Sequence, residues 1–234
     1  MPGVNNMKTN DGRLKNSIFI VDDHPIMRDG ISQLINQQSD LEVCGTASSA
    51  PEALDALNGI APDLLLVDIS LTGMNGIELI KIVKKRKGRL PILVLSMHAE
   101  DLYAERSIRA GAKGYVMKHA SADTLLAAIR KVLAGKIYLS PAMTEKLLEK
   151  AAGSELAGDE SPVDCLSDRE LEIFKLIGHG LRSQRIAEEL QLSIKTVETY
   201  YSRIKQKLNI KDASELLQMA IAWHNDAEKS ENQI

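Results

Sequence analysis

The sequence predicts an α/β domain built on a parallel five-stranded sheet, followed by a smaller all-α domain. From Ser17 to about Lys136, short apolar runs alternate with amphipathic segments, which is typical of a sheet covered by helices on both faces. The apolar runs do not alternate with polar residues, as expected for parallel strands buried on both sides. From Leu166 to about Trp223 the pattern is helical, with no strand-like run.

The predicted strands are, in order, SIFIVDD, LEVCGTA, LLLVD, PILVLSM and GYVMK. The predicted helices between and after them are IMRDGISQLINQ, SAPEALDALN, GIELIKIVKKR, DLYAERSIRA and SADTLLAAIRKVLAG. Pro25 suits the start of the first helix, and the small residues from Ala110 to Gly114 end the fourth one before the last strand. The alternation therefore indicates five strand-helix units.

The remaining chain divides into a linker, a helical domain and two tails. The segment SELAGDESPVD is small, acidic and contains proline, which suits a linker. In the helical domain, Ser167 to Glu170 and Asp212 to Glu215 both have the form of a capping box. The predicted segments are a flexible tail over 1–16, the α/β domain over 17–137, a linker with one helix over 138–163, the helical domain over 164–226 and a flexible tail over 227–234.

Composition excludes several classes of protein. A net charge of −3 and a pI near 6.0 argue against a protein that coats nucleic acid nonspecifically, so any such contact needs a local basic surface. No apolar run approaches the roughly 20 residues that a membrane span needs, and the polar N-terminus does not resemble a secretory signal. Cys44 and Cys165 are too far apart in sequence for a metal knuckle, so we expect free thiols and a cytoplasmic protein.

Polar side chains cluster where the predicted strands end. Because ligands bind at the carboxyl ends of parallel strands, these side chains are expected to converge at one edge of the sheet. They are Asp22 and Asp23 after the first strand, Asp68 after the third, Ser96 after the fourth and Lys118 after the fifth. Three close carboxylates repel unless a cation is bound, and hard oxygens are what Mg²⁺ prefers. This edge is therefore a candidate magnesium site.

With these motifs, residues 17–137 resemble the receiver domain of a two-component response regulator. The resemblance rests on the acidic pair, on Asp68 followed by Gly-Met-Asn-Gly, on Ser96 after an apolar strand and on Lys118 after Gly-Tyr. It implies a flavodoxin-like fold and phosphorylation of Asp68 by a sensor histidine kinase.

The same resemblance assigns roles within the site. It implies that Asp23 and Asp68 ligate Mg²⁺ directly, that Asp22 assists through water and that the carbonyl of Ser70 completes the protein ligands. Lys118 then offsets charge on the phosphoryl group, and Ser96 and Tyr115 form the switch pair. One departure stands out: Thr72 occupies the place where the family usually has proline, so we expect a less rigid loop after Asp68.

The helical domain contains three short helical patterns separated by GHG and QLS, which suggests a helix-turn-helix. In its third helix, Val197, Tyr201, Ile204 and Leu208 recur at helical spacing and are expected to face the core. The opposite face carries Lys195, Thr196, Thr199, Tyr200, Arg203 and Lys207. From charge alone, this face suits either DNA or plain solvent.

Residues 164–223 resemble the C-terminal DNA-binding domain of the NarL/FixJ (LuxR-type) regulators, through LSDRE, IAEEL and SIKTVETY-x-SRIKQKL. The resemblance implies a recognition helix over Ser193–Leu208, with Lys195, Thr196 and Thr199 near bases and Tyr200, Arg203 and Lys207 near the DNA backbone. It also implies a dimer surface formed by Leu216, Leu217 and Ala220. Arg182 occupies the position where the family usually has a Ser or Thr that caps the second helix of this domain. Ser183 is expected to cap that helix instead.

The sequence thus predicts a transcription regulator, not an enzyme, that accepts a phosphoryl group on Asp68 and binds promoter DNA as a homodimer. An alternative is a receiver-like regulator that works through a protein partner without phosphorylation. A phosphatase or mutase is a second rival, but it needs an acid where Ser70 stands. A flavin-binding module is a third, but it needs a hydroxyl- and Gly-rich loop where the chain has Asp-Asp-His-Pro.

Overall fold

A computed structural model describes residues 15–97, 100–151 and 162–231 of the chain. The chain separates near residue 152 into two compact units, the first N-terminal and the second C-terminal. Most of the predicted N-terminal tail, the acidic part of the predicted linker (152–161) and residues 232–234 lie outside the described residues.

The first unit is built on a five-stranded sheet in which every pair of neighbours is parallel. The strand order is β2-β1-β3-β4-β5, the flavodoxin-like order with a topological switch point between β1 and β3. The strands are β1 Asn16–Val21, β2 Leu41–Ala47, β3 Leu64–Asp68, β4 Ile92–Ser96 and β5 Gly114–Met117. The predicted α/β fold class is confirmed.

Each strand is followed by a helix, and at two of these helices a serine side chain caps the start. Ser49 accepts a hydrogen bond from the N–H of Glu52, and Ser121 does the same for Thr124, so both act as N-caps. The helices are α1 Pro25–Asn36, α2 Ala50–Gly59, α3 Gly76–Arg86, α4 Glu100–Ala110, α5 Ala122–Leu133 and α6 Pro141–Ala151. The sixth helix lies within the segment 138–163, for which the sequence predicts a linker with one helix.

The sheet buries side chains on both faces. Ile18 and Ile20 of β1 belong to a core cluster with Ile35 of α1 and Ile129 of α5, all at most 1% exposed. Because side chains alternate along a strand, Phe19 points to the opposite face and is equally buried. Both layers hold the strands in place, so the carboxyl ends of β1, β3, β4 and β5 have fixed positions.

The second unit is entirely helical in its described part. A 3-10 helix spans Pro162–Cys165, and four helices follow: α7 Asp168–Gly178, α8 Ser183–Glu189, α9 Ile194–Lys207 and α10 Ala213–Glu231. The chain turns between α8 and α9 through Gln191, whose φ of 52° lies in the left-handed region. The predicted helix-turn-helix pattern is therefore observed.

Close packing joins α7 to α10. A Cβ on Gly178 would lie 2.7 Å from the carbonyl oxygen of Ala220, so this crossing accepts only glycine without movement. The rings of Phe174 and Trp223 pack nearby with centroids 5.7 Å apart.

The predicted helix caps have mixed outcomes. Ser167 and Glu170 form the complete capping box of α7. At α10, Asp212 accepts from the N–H of Glu215, but the Glu215 carboxylate reaches the N–H of Lys211 instead of the N-cap.

The cap predicted for Ser183 is wrong. Ser183 is the first residue of α8, and Arg182 holds the N-cap position without a side-chain hydrogen bond.

Two element boundaries differ from the predicted ones. Strand β1 begins one residue inside the predicted tail, and α10 continues to Glu231, through most of the predicted tail 227–234. Between 213 and 231 the sequence has no glycine or proline that would end the helix earlier.

Both cysteines are free thiols, as predicted. Burial raises the pKa of Cys44 to about 11, whereas Cys165 is exposed. Among the described helices, none has the length and apolar character that crossing a bilayer demands.

Candidate functional site

The carboxyl edge of the sheet brings together Asp22, Asp68 and Lys118. Asp22 follows β1, Asp68 ends β3 and Lys118 follows β5. The Lys118 Nζ lies 2.8 Å from Asp22 Oδ2 and 2.7 Å from Asp68 Oδ2. All three side chains are at most 3% exposed. The predicted convergence of these strand ends is thus present in the structure.

Burial sets the electrostatics of this triad. It raises the pKa of Asp68, helped by the nearby Asp22 carboxylate and opposed by the Lys118 ammonium. For Lys118, burial alone would lower the pKa, but the two carboxylates outweigh it and the pKa is raised. The ammonium therefore remains charged and serves as the counter-charge of both acids.

Asp23 lies beside the triad with its two carboxylate oxygens in different surroundings. Its Oδ2 accepts hydrogen bonds from the Thr72 hydroxyl at 2.6 Å and from the Thr72 N–H at 3.1 Å. Its Oδ1 is buried and makes no hydrogen bond within the described part of the chain. The Nδ1 of His24 is 2.8 Å from Oδ1, but not in hydrogen-bonding geometry.

The donor set fits a divalent cation such as Mg²⁺. Asp22, Asp23, His24 and Asp68 each offer a ligand atom within 4.8 Å of the others. A buried carboxylate oxygen that accepts no hydrogen bond is costly unless a ligand satisfies it. Carboxylate oxygens are also the ligands that a hard cation takes. The geometry is therefore suited to a magnesium ion.

The loop between β3 and α3, residues 69–75, is held against Asp68. The Asp68 Oδ1 accepts the N–H of Ser70 at 3.1 Å, and the N–H of Gly76 donates to Ile69 O at 2.9 Å. A Cβ on Gly76 would lie 2.1 Å from the backbone oxygen of Asp68. Only glycine lets α3 begin this close to the strand end.

The lower rigidity expected for this loop stays a prediction. Thr72, which replaces the family's proline, fastens the loop to Asp23 through its two hydrogen bonds. Whether the carbonyl of Ser70 serves as a ligand stays a prediction.

The predicted switch residues Ser96 and Tyr115 are both buried. Ser96 ends β4 and is fully buried, and its carbonyl accepts the N–H of Lys118 at 2.7 Å. Tyr115, in β5, is 1% exposed, so its ring already lies inside the unit.

Two further contacts at the acidic edge were not predicted from the sequence. Arg28 donates from Nη1 to the carbonyl of Asp22 at 2.7 Å, and His24 donates its backbone N–H to Asp22 Oδ1 at 2.9 Å. Both contacts fix the turn from β1 to α1. The predicted first strand, SIFIVDD, ends at the acidic pair and does not reach these residues. Helical periodicity does not show that Arg28 contacts Asp22.

The helix α9 has the two faces that its sequence predicts. Of the four residues predicted to face the core, Val197 and Ile204 are fully buried, whereas Tyr201 and Leu208 are half-buried. On the other side Lys195, Thr199 and Arg203 are exposed, whereas Thr196 and Tyr200 are half-buried. The Arg203 guanidinium lies 5.9 Å from the centroid of the Tyr200 ring, a cation–π contact that pre-orients it.

Lys207 differs from the other predicted DNA contacts. Its Nζ lies 2.7 Å from Glu170 Oε2 and donates to the carbonyl of Cys165 at 3.2 Å. Burial alone would raise the pKa of Glu170, but hydrogen bonds from Lys207 and Ser167 lower it. The ammonium is thus engaged within its own domain.

The predicted dimer surface on α10 needs correction. Leu216 and Ala220 are fully buried, because they face the interior of the helical unit. A buried side chain has no surface to offer a partner chain. Leu217 and Ile221, at 40% and 38% exposure, are the large apolar side chains that α10 presents outward in its described part.

Comparison with known protein families gives two matches. Residues 18–130 match the response regulator receiver domain. Residues 164–220 match the bacterial regulatory proteins of the luxR family.

Several characterised proteins resemble the chain along most of its length. The oxygen regulatory protein NreC of Staphylococcus carnosus is 37% identical over 208 residues, covering 87% of this chain and 96% of NreC. A LuxR-family response regulator from Aurantimonas sp. SI85-9A1 is 33% identical, with a TM-score of 0.55, over 59% of this chain and 99% of that one.

RcsB of Salmonella typhimurium is 26% identical, with a TM-score of 0.63, over 89% of this chain and 98% of that one. A further RcsB structure, from Salmonella enterica serovar Typhimurium, was solved on a promoter with the phosphomimetic BeF3−; it is 25% identical, with a TM-score of 0.60, over 88% of this chain and 98% of that one.

Proposed function

The chain belongs to the NarL/FixJ (LuxR-type) family of two-component response regulators, and on that premise we propose that phosphorylation of Asp68 controls its binding to DNA. A receiver domain is joined to a DNA-binding domain in one chain, as in the transcription regulators of this family. The observation that carries the proposal is the buried Asp68 carboxylate, held 2.7 Å from the Lys118 ammonium at the carboxyl edge of the sheet.

The phosphoryl group is transferred from a phosphohistidine of a sensor kinase. A carboxylate oxygen of Asp68 attacks the phosphorus, a P–O bond forms, the P–N bond breaks and the departing imidazole takes up a proton. Negative charge gathers on the phosphoryl oxygens during this step. Lys118 is positioned to offset it, and charge neutralisation with positioning accounts for most of the catalysis in such transfers.

A magnesium ion is the cofactor that this acidic edge would hold. Asp23 and Asp68 would bind it directly, Asp22 through water and Ser70 through its carbonyl. When bound, it supplies positive charge for the phosphoryl oxygens. The buried Oδ1 of Asp23, which accepts no hydrogen bond within the described residues, supports this assignment.

The switch passes through Ser96 and Tyr115. The Ser96 hydroxyl contacts the new phosphoryl group, and the Tyr115 ring is retained behind it in the position that it already occupies. Phosphorylation then favours a homodimer, in which the outward face of α10 around Leu217 contacts the second copy.

DNA is bound through the exposed face of α9. Lys195, Thr196 and Thr199 lie towards the bases, and Tyr200 with Arg203 lies towards the backbone. A dimer places two such helices at half-sites about one helical turn apart. The RcsB complex with promoter DNA supports this role. Lys207 contributes by holding α9 in place, since its ammonium is engaged by Glu170.

The central experiment treats the full chain with a small phosphodonor and MgCl₂ and measures intact mass, oligomeric state and affinity for promoter DNA. We expect the wild type to gain one phosphoryl group, to dimerise and to bind DNA more tightly. Asp68→Asn should do none of these. No mass gain on the wild type would overturn the proposal.

The buried ring of Tyr115 also favours the second candidate, a regulator that works through a protein partner without phosphorylation. Undiminished regulation of the target promoter by Asp68→Asn in cells would support that candidate instead.

The DNA interface has its own test. Arg203→Gln should weaken binding to all sequences alike and reduce the slope of log K against log salt by about 1. Lys195→Ala should instead reduce discrimination between promoter and unrelated DNA. Equal effects of both variants on all sequences would argue against base contact by Lys195.

A further inference from the structure

We propose that Thr72 is a positioning residue that orients Asp23 for the magnesium ion, a task that the family's usual proline cannot perform. This inference rests on the proposed magnesium site and goes beyond it, because Thr72 itself is not a ligand.

Thr72 directs both of its donors at one oxygen. Its hydroxyl lies 2.6 Å and its backbone N lies 3.1 Å from Asp23 Oδ2. The two residues are separated by 49 positions and belong to different loops, one after β1 and the other after β3. The contact therefore fastens the first loop to the second across the switch point of the sheet.

Two donors on one oxygen also fix the rotation of the carboxylate. With Oδ2 held, Asp23 Oδ1 stays buried and free of hydrogen bonds beside the other acids, where all the candidate ligand atoms lie within 4.8 Å of one another. Partners of a metal ligand commonly orient it in this way, and their loss weakens metal binding about 10- to 100-fold.

Proline at this position would abolish both hydrogen bonds. It has no backbone N–H and no side-chain donor. In this chain Thr72 keeps both donors, so its contact with Asp23 fixes the loop and the acid together.

The test is a titration of the full-length protein with MgCl₂, followed by the backbone amide shifts of the acidic edge in NMR spectra. Thr72→Val keeps the shape and the N–H but loses the hydroxyl, and should bind Mg²⁺ about tenfold more weakly. Thr72→Ser restores the hydroxyl and should lie close to the wild type. Thr72→Pro loses both donors and should bind more weakly than Thr72→Val.

The matched control is Thr144→Val. The hydroxyl of Thr144 also donates to an oxygen, the carbonyl of Ser140, but far in sequence from the acids. This variant should bind Mg²⁺ as the wild type does. Thermal unfolding in EDTA checks that every variant folds, so that a change in Mg²⁺ affinity at unchanged stability is specific to positioning.

The outcomes separate the inference from the proposed function. If the wild type binds Mg²⁺ and Thr72→Val binds it within twofold of the same affinity, the role of Thr72 is wrong and the magnesium site stands. If the wild type shows no shift with Mg²⁺, both the site and the inference fall.

Discussion

The carboxylate of Glu170 joins the first turn of α7 to the last turn of α9, through an ion pair in which its Oε2 lies 2.7 Å from the Nζ of Lys207. The same oxygen accepts the N–H of Ser167 at 2.7 Å in the capping box. One nearly buried carboxylate thus both completes the start of α7 and holds the end of α9.

Removing this carboxylate should destabilise the helical unit. Glu170→Ala is expected to lower its free energy of unfolding by about 2 kcal/mol, since a charged acceptor with two donors is lost. Trp223 is the only tryptophan of the chain, so its fluorescence in urea reports this unit alone. The control Arg185→Ala breaks an exposed pair with Glu188 and should change stability by less than about 0.5 kcal/mol.

The same contact predicts a pH dependence. The folded-state pKa of Glu170 is lowered, so its contribution is present above the unfolded-state pKa of about 4.3 and is lost as pH falls through the folded value. The difference in unfolding free energy between wild type and Glu170→Gln should therefore be constant near neutral pH and shrink below about pH 4. A difference that does not vary with pH would show that the charge of Glu170 is unimportant.

Gly76 should tolerate no side chain. A Cβ there would meet the backbone oxygen of Asp68 at 2.1 Å, so Gly76→Ala must displace either α3 or the phosphoacceptor. We expect a loss of about 2 kcal/mol or more in calorimetric unfolding of the receiver unit. Gly30→Ala in α1 is the control, because a Cβ added there would meet no atom of another element within 4 Å. This variant should be neutral or stabilising by about 0.5–1 kcal/mol.

The two faces of α10 should separate folding from association. Leu217 lies on the exposed face of α10. Leu217→Asp should therefore prevent dimerisation of the phosphorylated chain and leave the unfolding curve measured by Trp223 fluorescence unchanged. Leu216→Ala removes a buried side chain and should cost about 2–5 kcal/mol of unfolding free energy. Sizing and urea titration measure the two effects. A dimer that survives Leu217→Asp would exclude this surface.

Much of the fold was predictable because its signals are local. Apolar runs, a proline at α1 and the serine that caps α7 each mark an element within a few residues. The convergence of Asp22, Asp68 and Lys118 followed from topology, since parallel strands end at one edge.

The missed features depend on contacts between distant segments. Thr72 was noticed as a departure from the family, but a single sequence does not show that its hydroxyl faces Asp23. The engagement of Lys207 by Glu170, 37 residues earlier, is hidden for the same reason. Leu216 and Leu217 are adjacent and equally apolar, so only the packing of α10 decides which of them is buried.

The buried ring of Tyr115 bears on how much signal the promoter receives at rest. If the inward ring is the arrangement that phosphorylation favours, Tyr115 already holds it without a phosphoryl group on Asp68. Phosphorylation would then change DNA occupancy by a modest factor, because it shifts an equilibrium only as far as it distinguishes the two states. The regulator would then have a measurable basal activity, and its kinase would increase transcription gradually above that basal level.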